Sequence, residues 1–479
     1  MSIGIRLIGL GTAPGELTTD ARRELEQADE VVLIGDLPPG YDGLSWDVSF
    51  HEANNLFPAD ADSVDVMANR LLKLGIRPDG LVAAFGGDPI TGSAIVASLQ
   101  KKAEGVAVPI RFFPAPGCLQ SCLALAGTHA ADGLYQIHAS RLEERHHPPF
   151  SPDMQVFIHD VPEGDALNAL IRMLGNQYPH AFRISVFLQE EEGGFRRHEM
   201  PLGKVLSFSR KNRLRAMLLP PLKRESGLES FQETVAHLRA DDGCPWDREQ
   251  THQSLRLHLL EETYEALDAL DGDDLHGLAE ELGDLLLQIA LHTQIATENE
   301  SFRMTDVIGG IQEKIIRRHP HVFSDEDVQD SSDVLKNWEA LKQSERRAEG
   351  QEESLLNGVA RALPALAQAV EIQSRAARVG FEWPEIEGVL AKIEEETLEL
   401  KQAENQDERS AEFGDLLFVM ANYARWLDID PETALREACG RFRKRFHKLE
   451  DAAAAQGRTL QDMSLEEMDA IWDSAKETG

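Results

Sequence analysis

The chain has 479 residues, too many for one ordinary hydrophobic core, so roughly two to four domains are expected. Its formal net charge of −35 argues against nucleic acid and anionic membranes as partners, and no apolar run reaches transmembrane length. The start MSIGIRLIGLG carries no secretory pattern, and Cys118, Cys122, Cys244 and Cys439 form no disulfide or zinc spacing, which points to a reducing cytoplasm.

The first 220 residues read as α/β. IGIRLIGLG (3–11) is an apolar strand ending in glycines, followed by a helical pattern from Thr18 to Ala28 and a second strand, EVVLIGD (30–36). LVAAFGGDP (81–89) is a third strand with its helix over 91–103, and IRFFPAPG (110–117) is a fourth, ending at CLQSCLALAG. The alternation predicts a mainly parallel sheet. MQVFIHDV (154–161) and FRISVFLQ (182–189) belong to a second α/β lobe, with His146 and His147 read as surface residues. The basic stretch 209–227, with its proline pair, reads as a linker.

From about Ser230 onward helical periodicity takes over and the acidity concentrates. Residues 1–222 hold 20 Lys and Arg against 27 Asp and Glu, a net of −7, which leaves −28 for the rest. This half repeats itself. Glu262 and Glu265 of LLEETYEAL correspond to Glu396 and Glu399 of KIEEETLEL, and ELGDLLLQ (281–288) corresponds to EFGDLLFV (412–419). KIIRRHP (314–320) matches RFRKRFH (441–447), and NWEALK (337–342) matches IWDSAK (471–476). The offsets of 134, 131, 127 and 134 residues place short indels in loops, and the polar segment 343–358 separates the copies.

Residues three apart share a helix face. Glu262 with Glu265, and Glu281 with Asp284, therefore present paired carboxylates from two successive helices; Glu396 with Glu399, and Glu412 with Asp415, repeat the arrangement. Four converging carboxylates repel one another, and a hard divalent cation such as Mg2+ removes the conflict. The run LLLQIALHTQIA (285–296) is apolar almost all round, so its helix is expected to be buried. Lys314, Arg317 and Arg318, and likewise Arg441, Lys444 and Arg445, offer cations for phosphates, while Trp338 with Lys342 and Trp472 with Lys476 set an aromatic plane one turn from an ammonium. Pro320 ends the first basic stretch as a helix, where the second runs on through FHKLED, so the second copy is expected to hold substrate better.

CPWDREQTH (244–252), the E-E-x-x-E then E-x-x-D order, RRHPHVF (317–323) and GFEW (380–383) resemble the tandem-domain MazG nucleoside triphosphate pyrophosphohydrolases. The resemblance implies an all-α fold, a homodimer, Mg2+, and hydrolysis of nucleoside triphosphates to the monophosphate and pyrophosphate. It puts the metal ligands at Glu262, Glu265, Glu281 and Asp284, and at Glu396, Glu399, Glu412 and Asp415, and phosphate contacts at Arg441, Arg445 and Lys476 beside Trp472. For attack of a metal-bound water on the α-phosphorus, a neighbouring carboxylate such as Glu261 or Glu395 is the expected general base. Arg441 stands where the family often has Lys, and CPWD occurs only in the first copy.

GLGTAPGELT (9–18), GGDPITGSA (86–94) and PAPGCLQSCLALAG (114–127) resemble the tetrapyrrole methylases, which implies S-adenosylmethionine at Gly9, Gly11, Gly86, Gly87, Asp88 and Pro89. The first loop reads TAPGE where that family has a GPGDP-like loop with an Asp. The expected architecture is thus a two-lobed tetrapyrrole methylase-like α/β domain over 1–222, then all-α MazG-like domains over 228–345 and 355–479. The alternative is an S-adenosylmethionine-dependent methyltransferase whose helical half is a dimerising scaffold.

Overall fold

The computed structural model describes residues 4–35, 37–38, 40–41, 49–52, 64–90, 93–191, 193–324, 330, 334, 338, 341, 356–357 and 359–477. Two compact units result, Met1–Glu249 and Gln250–Gly479. Lys342 and all of the segment 343–358 except 356–357 lie outside the described residues.

The N-terminal unit opens with β1 (Ile5–Gly9), α1 (Thr19–Glu26), β2 (Glu30–Ile34), β3 (Ser49–Glu52), α2 (Val64–Gly75), β4 (Leu81–Phe85), α3 (Ala94–Glu104) and β5 (Ile110–Phe113). These strands form one sheet in the order β3-β2-β4-β1-β5, parallel throughout. Apolar runs such as LVAAF suit it, because helices cover both faces and every position of the inner strand β4 is buried. Next come α4 (Cys118–Ala126), β6 (Leu134–His138), β7 (Gln155–His159), α5 (Gly164–Gly175), β8 (Arg183–Gln189), β9 (Phe195–Pro201), α6 (Val205–Ser209) and β10 (Leu214–Leu219). Their sheet runs β6-β7-β10-β8-β9, and only β6 with β7 is parallel. The expectation of a mainly parallel sheet therefore holds for the first lobe, while the second α/β lobe is mainly antiparallel.

The stretch 209–227 is also more than a linker. Its LRAMLL core is β10, at the centre of the second sheet, with five of six residues buried. The flanking arginines and prolines mask a run just long enough to be a core strand. Beyond it, α7 (Leu228–Arg239) is held at its start by Asp153, which accepts from Ser226 N (2.8 Å), Gly227 N (2.8 Å) and Ser230 Oγ (2.6 Å). The short α8 (Pro245–Glu249) carries the CPWD motif.

The second unit is helical: α9 (Arg256–Asp271), α10 (Leu275–Glu298), α11 (Met304–Arg318), α12 (Pro320–Phe323), α13 (Ala365–Ala377), α14 (Ile386–Gln402), α15 (Gln406–Trp426), α16 (Pro431–Ala455) and α17 (Leu465–Glu477). Two helix pairs, α9 with α10 and α14 with α15, repeat one design. Each turn ends in an N-cap: Asp274 accepts from His276 N and Gly277 N, and Asn405 accepts from Glu408 N. The α10 helix is buried only toward its C-terminal half, through Gln288, Ala290, Leu291, Thr293, Ile295 and Ala296. Leu282, Leu286 and Ile289 remain 41–53% exposed, so the expected all-round burial is not met within one chain. No helix among the described residues is long and apolar enough to cross a membrane.

Candidate active site

The paired helices bring the repeated carboxylates together. Glu262 and Glu265 project from α9 toward Glu281 of α10, and one oxygen of each lies within 4.8 Å of the other two. Glu396 and Glu399 of α14 meet Glu412 of α15 in the same way. Asp284 and Asp415 stand outside these triplets yet close enough to act on them by charge. Burial and then Asp284 push the Glu262 carboxyl above its usual range, with Glu265, Glu281 and Glu261 adding to the effect. Glu281 is raised by burial, then by Glu265 and Asp284. Glu412 is raised by burial, then by Glu399, Glu396 and Asp415. Each copy therefore concentrates negative charge that its own carboxylates do not relieve.

The two clusters have different cationic neighbours. Lys392, one turn before Glu396, reaches Glu396 at 2.7 Å and Glu395 at 3.0 Å, and these bonds, Glu396 first, hold its ammonium above the usual lysine range. Glu396 is only 4% exposed, and its Oε2 is buried without a hydrogen bond among the described residues. The corresponding residue of the first copy is His258, whose Nδ1 lies 3.2 Å from Glu261. Glu261 and Glu395, the two candidate bases, are thus each engaged by a basic side chain.

The basic blocks also diverge. The first ends with its helix, since Arg317 and Arg318 are the last turn of α11 and His319 caps it before Pro320. Arg318 lies over the Trp338 ring, 5.3 Å from its centroid. The second block sits mid-way along the 25-residue α16. There Arg445 lies 6.0 Å over Trp472, Arg441 pairs with Glu437 at 3.3 Å, and Lys476 pairs with Asp473 at 2.8 Å. Phe442 packs against Trp472 with centroids 4.9 Å apart while staying 57% exposed. Sequence reasoning passed over Phe442 and Lys392; the first was legible as the aromatic beside Arg441, the second as the basic residue four before Glu396. The GFEW motif is structural: Glu382 pairs with Arg425 and accepts from Trp426 Nε1 at 3.2 Å.

In the N-terminal unit the glycine loops meet across the carboxyl ends of β1 and β4. Gly11 and Gly87 exchange backbone hydrogen bonds, and both have positive φ, 73° and 90°. A Cβ on Gly9 would lie 2.8 Å from Gly87 O and 2.9 Å from Ala115 N, so only glycine fits. Gly11, Gly86, Gly87 and Asp88 line a cleft of about 390 Å³. The first loop, however, is closed by its own carboxylate. Glu16 accepts from Thr12 N (2.5 Å) and Thr12 Oγ1 (2.8 Å), with Ser121 Oγ at 3.3 Å. The amide that a phosphate loop would offer an anion is already taken.

Comparison with known proteins places the helical half. Residues 250–323 match the MazG nucleotide pyrophosphohydrolase domain. The nucleoside triphosphate pyrophosphohydrolase/pyrophosphatase MazG of Thermotoga maritima is 43% identical over 53% of this chain and 98% of its own length. The uncharacterized protein YabN of Bacillus subtilis is 34% identical over 99% of this chain and 98% of its own length. A crystal structure of uroporphyrin-III-C-methyltransferase from Thermus thermophilus covers 45% of this chain and 90% of its own, at 17% identity and a TM-score of 0.36. With the 43% identical MazG of Thermotoga maritima spanned almost end to end, and with the carboxylate pairs held on matching helices, the chain belongs to the MazG family of nucleotide pyrophosphohydrolases.

Proposed function

We propose that this protein hydrolyses nucleoside triphosphates to the monophosphate and pyrophosphate, using Mg2+ held by its carboxylate clusters. The observation that carries the reading is the duplicated triplet of Glu oxygens within 4.8 Å. Raised carboxyls at Glu262, Glu281 and Glu412, and the buried, unbonded Oε2 of Glu396, fit a site built for a cation. Glu262, Glu265, Glu281 and Asp284 would hold it in one copy, and Glu396, Glu399, Glu412 and Asp415 in the other. When bound, Mg2+ supplies charge neutralisation for the triphosphate and lowers the pKa of its water.

The chain's own groups do the rest. Glu395 or Glu261 accepts the proton of the water that attacks the α-phosphorus, once released from Lys392 or His258. Arg441, Arg445 and Lys476 bind the phosphates, exchanging local carboxylates for substrate oxygens. Trp472 and Phe442 flank the base. The exposed apolar stripe of α10 at Leu282, Leu286 and Ile289 favours a homodimer in which a second copy covers it. S-adenosylmethionine has no part in this reading, because Glu16 fills the first loop, and its calorimetric titration is expected to give weak heat or none. The decisive experiment measures pyrophosphate release by the full chain from a panel of nucleoside triphosphates, with and without Mg2+. Release of orthophosphate instead, or turnover indifferent to Mg2+, would overturn the proposal.

A further inference from the structure

The second lobe of the N-terminal unit carries a group of side chains that nucleotide hydrolysis does not use. Strands β6 and β7 end side by side at His138 and His159, which are partners in register. The next residue, Asp160, has φ 53°, a left-handed turn that Asp tolerates. Its Oδ2 lies 2.7 Å from His159 Nδ1 and 3.4 Å from His138 Nε2.

The proton positions follow from the partners. Ser140 N donates to His138 Nδ1 at 3.2 Å, so that nitrogen carries a lone pair and the proton sits on Nε2, facing Asp160. An ionised carboxylate only accepts, so His159 Nδ1 carries its proton as well. His159 Nε2 is left with a lone pair and makes no hydrogen bond among the described residues. The ring is 7% exposed, and it lines the cleft of about 390 Å³ together with Asp160, Gln189, Phe195 and Arg215. Donor atoms of His138, His159 and Asp160 do come within 4.8 Å of one another, as at a metal site. But His138 turns a proton rather than a lone pair toward the group, so the arrangement suits proton transfer better than a cation.

We propose that His159 is a general base in this cleft, taking a proton from an O–H or N–H of a small anionic ligand whose charge is held by Arg215. The ligand's O–H or N–H bond breaks, the new N–H bond forms at Nε2, and Asp160 stabilises the imidazolium. Asp160 acts as a positioning residue, and His138 fixes Asp160 in turn. This chemistry is separate from the carboxylate clusters and does not depend on them.

The test uses the full chain with p-nitrophenyl acetate as a reporter. A free imidazole lone pair attacks the ester carbonyl and expels p-nitrophenolate, and water then cleaves the acyl-imidazole to acetate, so the reaction reports whether the Nε2 lone pair of His159 is available. His159→Asn is expected to lower the protein-catalysed rate by at least about tenfold, and Asp160→Asn by roughly threefold to tenfold, with pyrophosphate release from nucleoside triphosphates unchanged in both. Inorganic phosphate should inhibit ester cleavage in the wild type and not in Arg215→Gln. Wild-type ester cleavage by His159→Asn would overturn the proposal, as would stoichiometric Zn2+ binding lost in that variant. A readout that needs no substitution is carbethoxylation of the wild type, mapped by mass spectrometry. His159 should react and phosphate should protect it; modification of His146 and His147 with His159 untouched would also sink the assignment.

Discussion

In the first helical copy the basic side chain one turn before the carboxylates is His258, and in the second it is Lys392. His258 pairs with Glu261, whereas Lys392 bonds both Glu395 and the buried Glu396. The second cluster therefore has a lysine ammonium where the first has a histidine. This matches the carboxyls that are pushed up, Glu262 and Glu281 in the first copy and Glu412 in the second. The features proposed to face the substrate run the other way. The second copy has a long α16, with Arg445 against Trp472 and Phe442 beside it, while α11 stops at Arg318. On the proposed reading, duplication has left one copy with the greater need for a cation and the other with the fuller apparatus for a nucleotide.

The largest expected effect tests which copy turns substrate over. Asp415→Asn keeps shape and removes one carboxylate charge from the second cluster. It should lower kcat/KM for pyrophosphate release on the order of 100-fold, while Asp284→Asn changes it by less than about threefold. The reverse pattern would make the first copy the catalyst and cancel the functional side of the comparison.

The second effect concerns the built-in ammonium. Lys392→Met removes a cation bound to Glu396, so Mn2+ affinity at the second cluster should rise about tenfold, some 1.4 kcal/mol. His258→Lys should weaken the first cluster by a similar factor. Free Mn2+ measured by electron paramagnetic resonance reads both. Unchanged affinity in Lys392→Met would mean that Lys392 swings aside at no cost when the cation arrives.

The third is a dependence of stability on pH. A carboxyl raised in the folded state keeps a proton there that the unfolded chain has already lost. The contribution of these three carboxyls to metal-free stability is thus greatest below the ordinary carboxylate range and falls as pH rises through the raised values. The melting temperature of the metal-free protein should fall between about pH 4 and pH 7, and saturating Mg2+ should remove the slope. Because two of the three raised carboxyls are in the first copy, Glu262→Gln with Glu281→Gln should flatten the curve more than Glu412→Gln does. A larger flattening in Glu412→Gln would contradict the charge difference between the copies.

Much of this was readable from residue spacing. The three-residue steps from Glu262 to Glu265 and from Glu396 to Glu399 fix a shared helix face, and the repeated order pairs the helices. Pro320 marked the end of α11 for the same kind of reason, a local steric one. What escaped depends on contacts that spacing does not encode. FRISVFLQ has the pattern of a strand, but nothing in it says that its neighbours run antiparallel. LRAMLL is a short apolar run among cations, and only the sheet around it reveals a central strand. Lys392 reads as an ordinary solvated lysine until Glu396 proves buried. The α10 stripe reads as core because its composition is apolar, and spacing does not say that Leu282, Leu286 and Ile289 stay exposed within one chain.

The smallest expected effect concerns the aromatic wall. The residue matching Phe442 in the first copy is Ile315, so at this position the second copy has a ring, 4.9 Å from that of Trp472, where the first has an aliphatic side chain. Phe442 is more than half exposed, so its ring is not held there by core packing alone, and its face is open to a planar ligand. Stacking of an aromatic pair is worth about 0.5–1.5 kcal/mol beyond area burial, which corresponds to roughly twofold to tenfold in affinity. Phe442→Leu keeps the apolar volume and loses the ring. It should raise KM for nucleoside triphosphates about threefold with kcat nearly unchanged, since the base lies away from the bond that breaks. Ile315→Leu should alter neither constant. A loss confined to kcat in Phe442→Leu would instead mean that the ring positions Arg441 or Arg445 against the phosphates, and the two copies would then differ in catalysis rather than in base recognition.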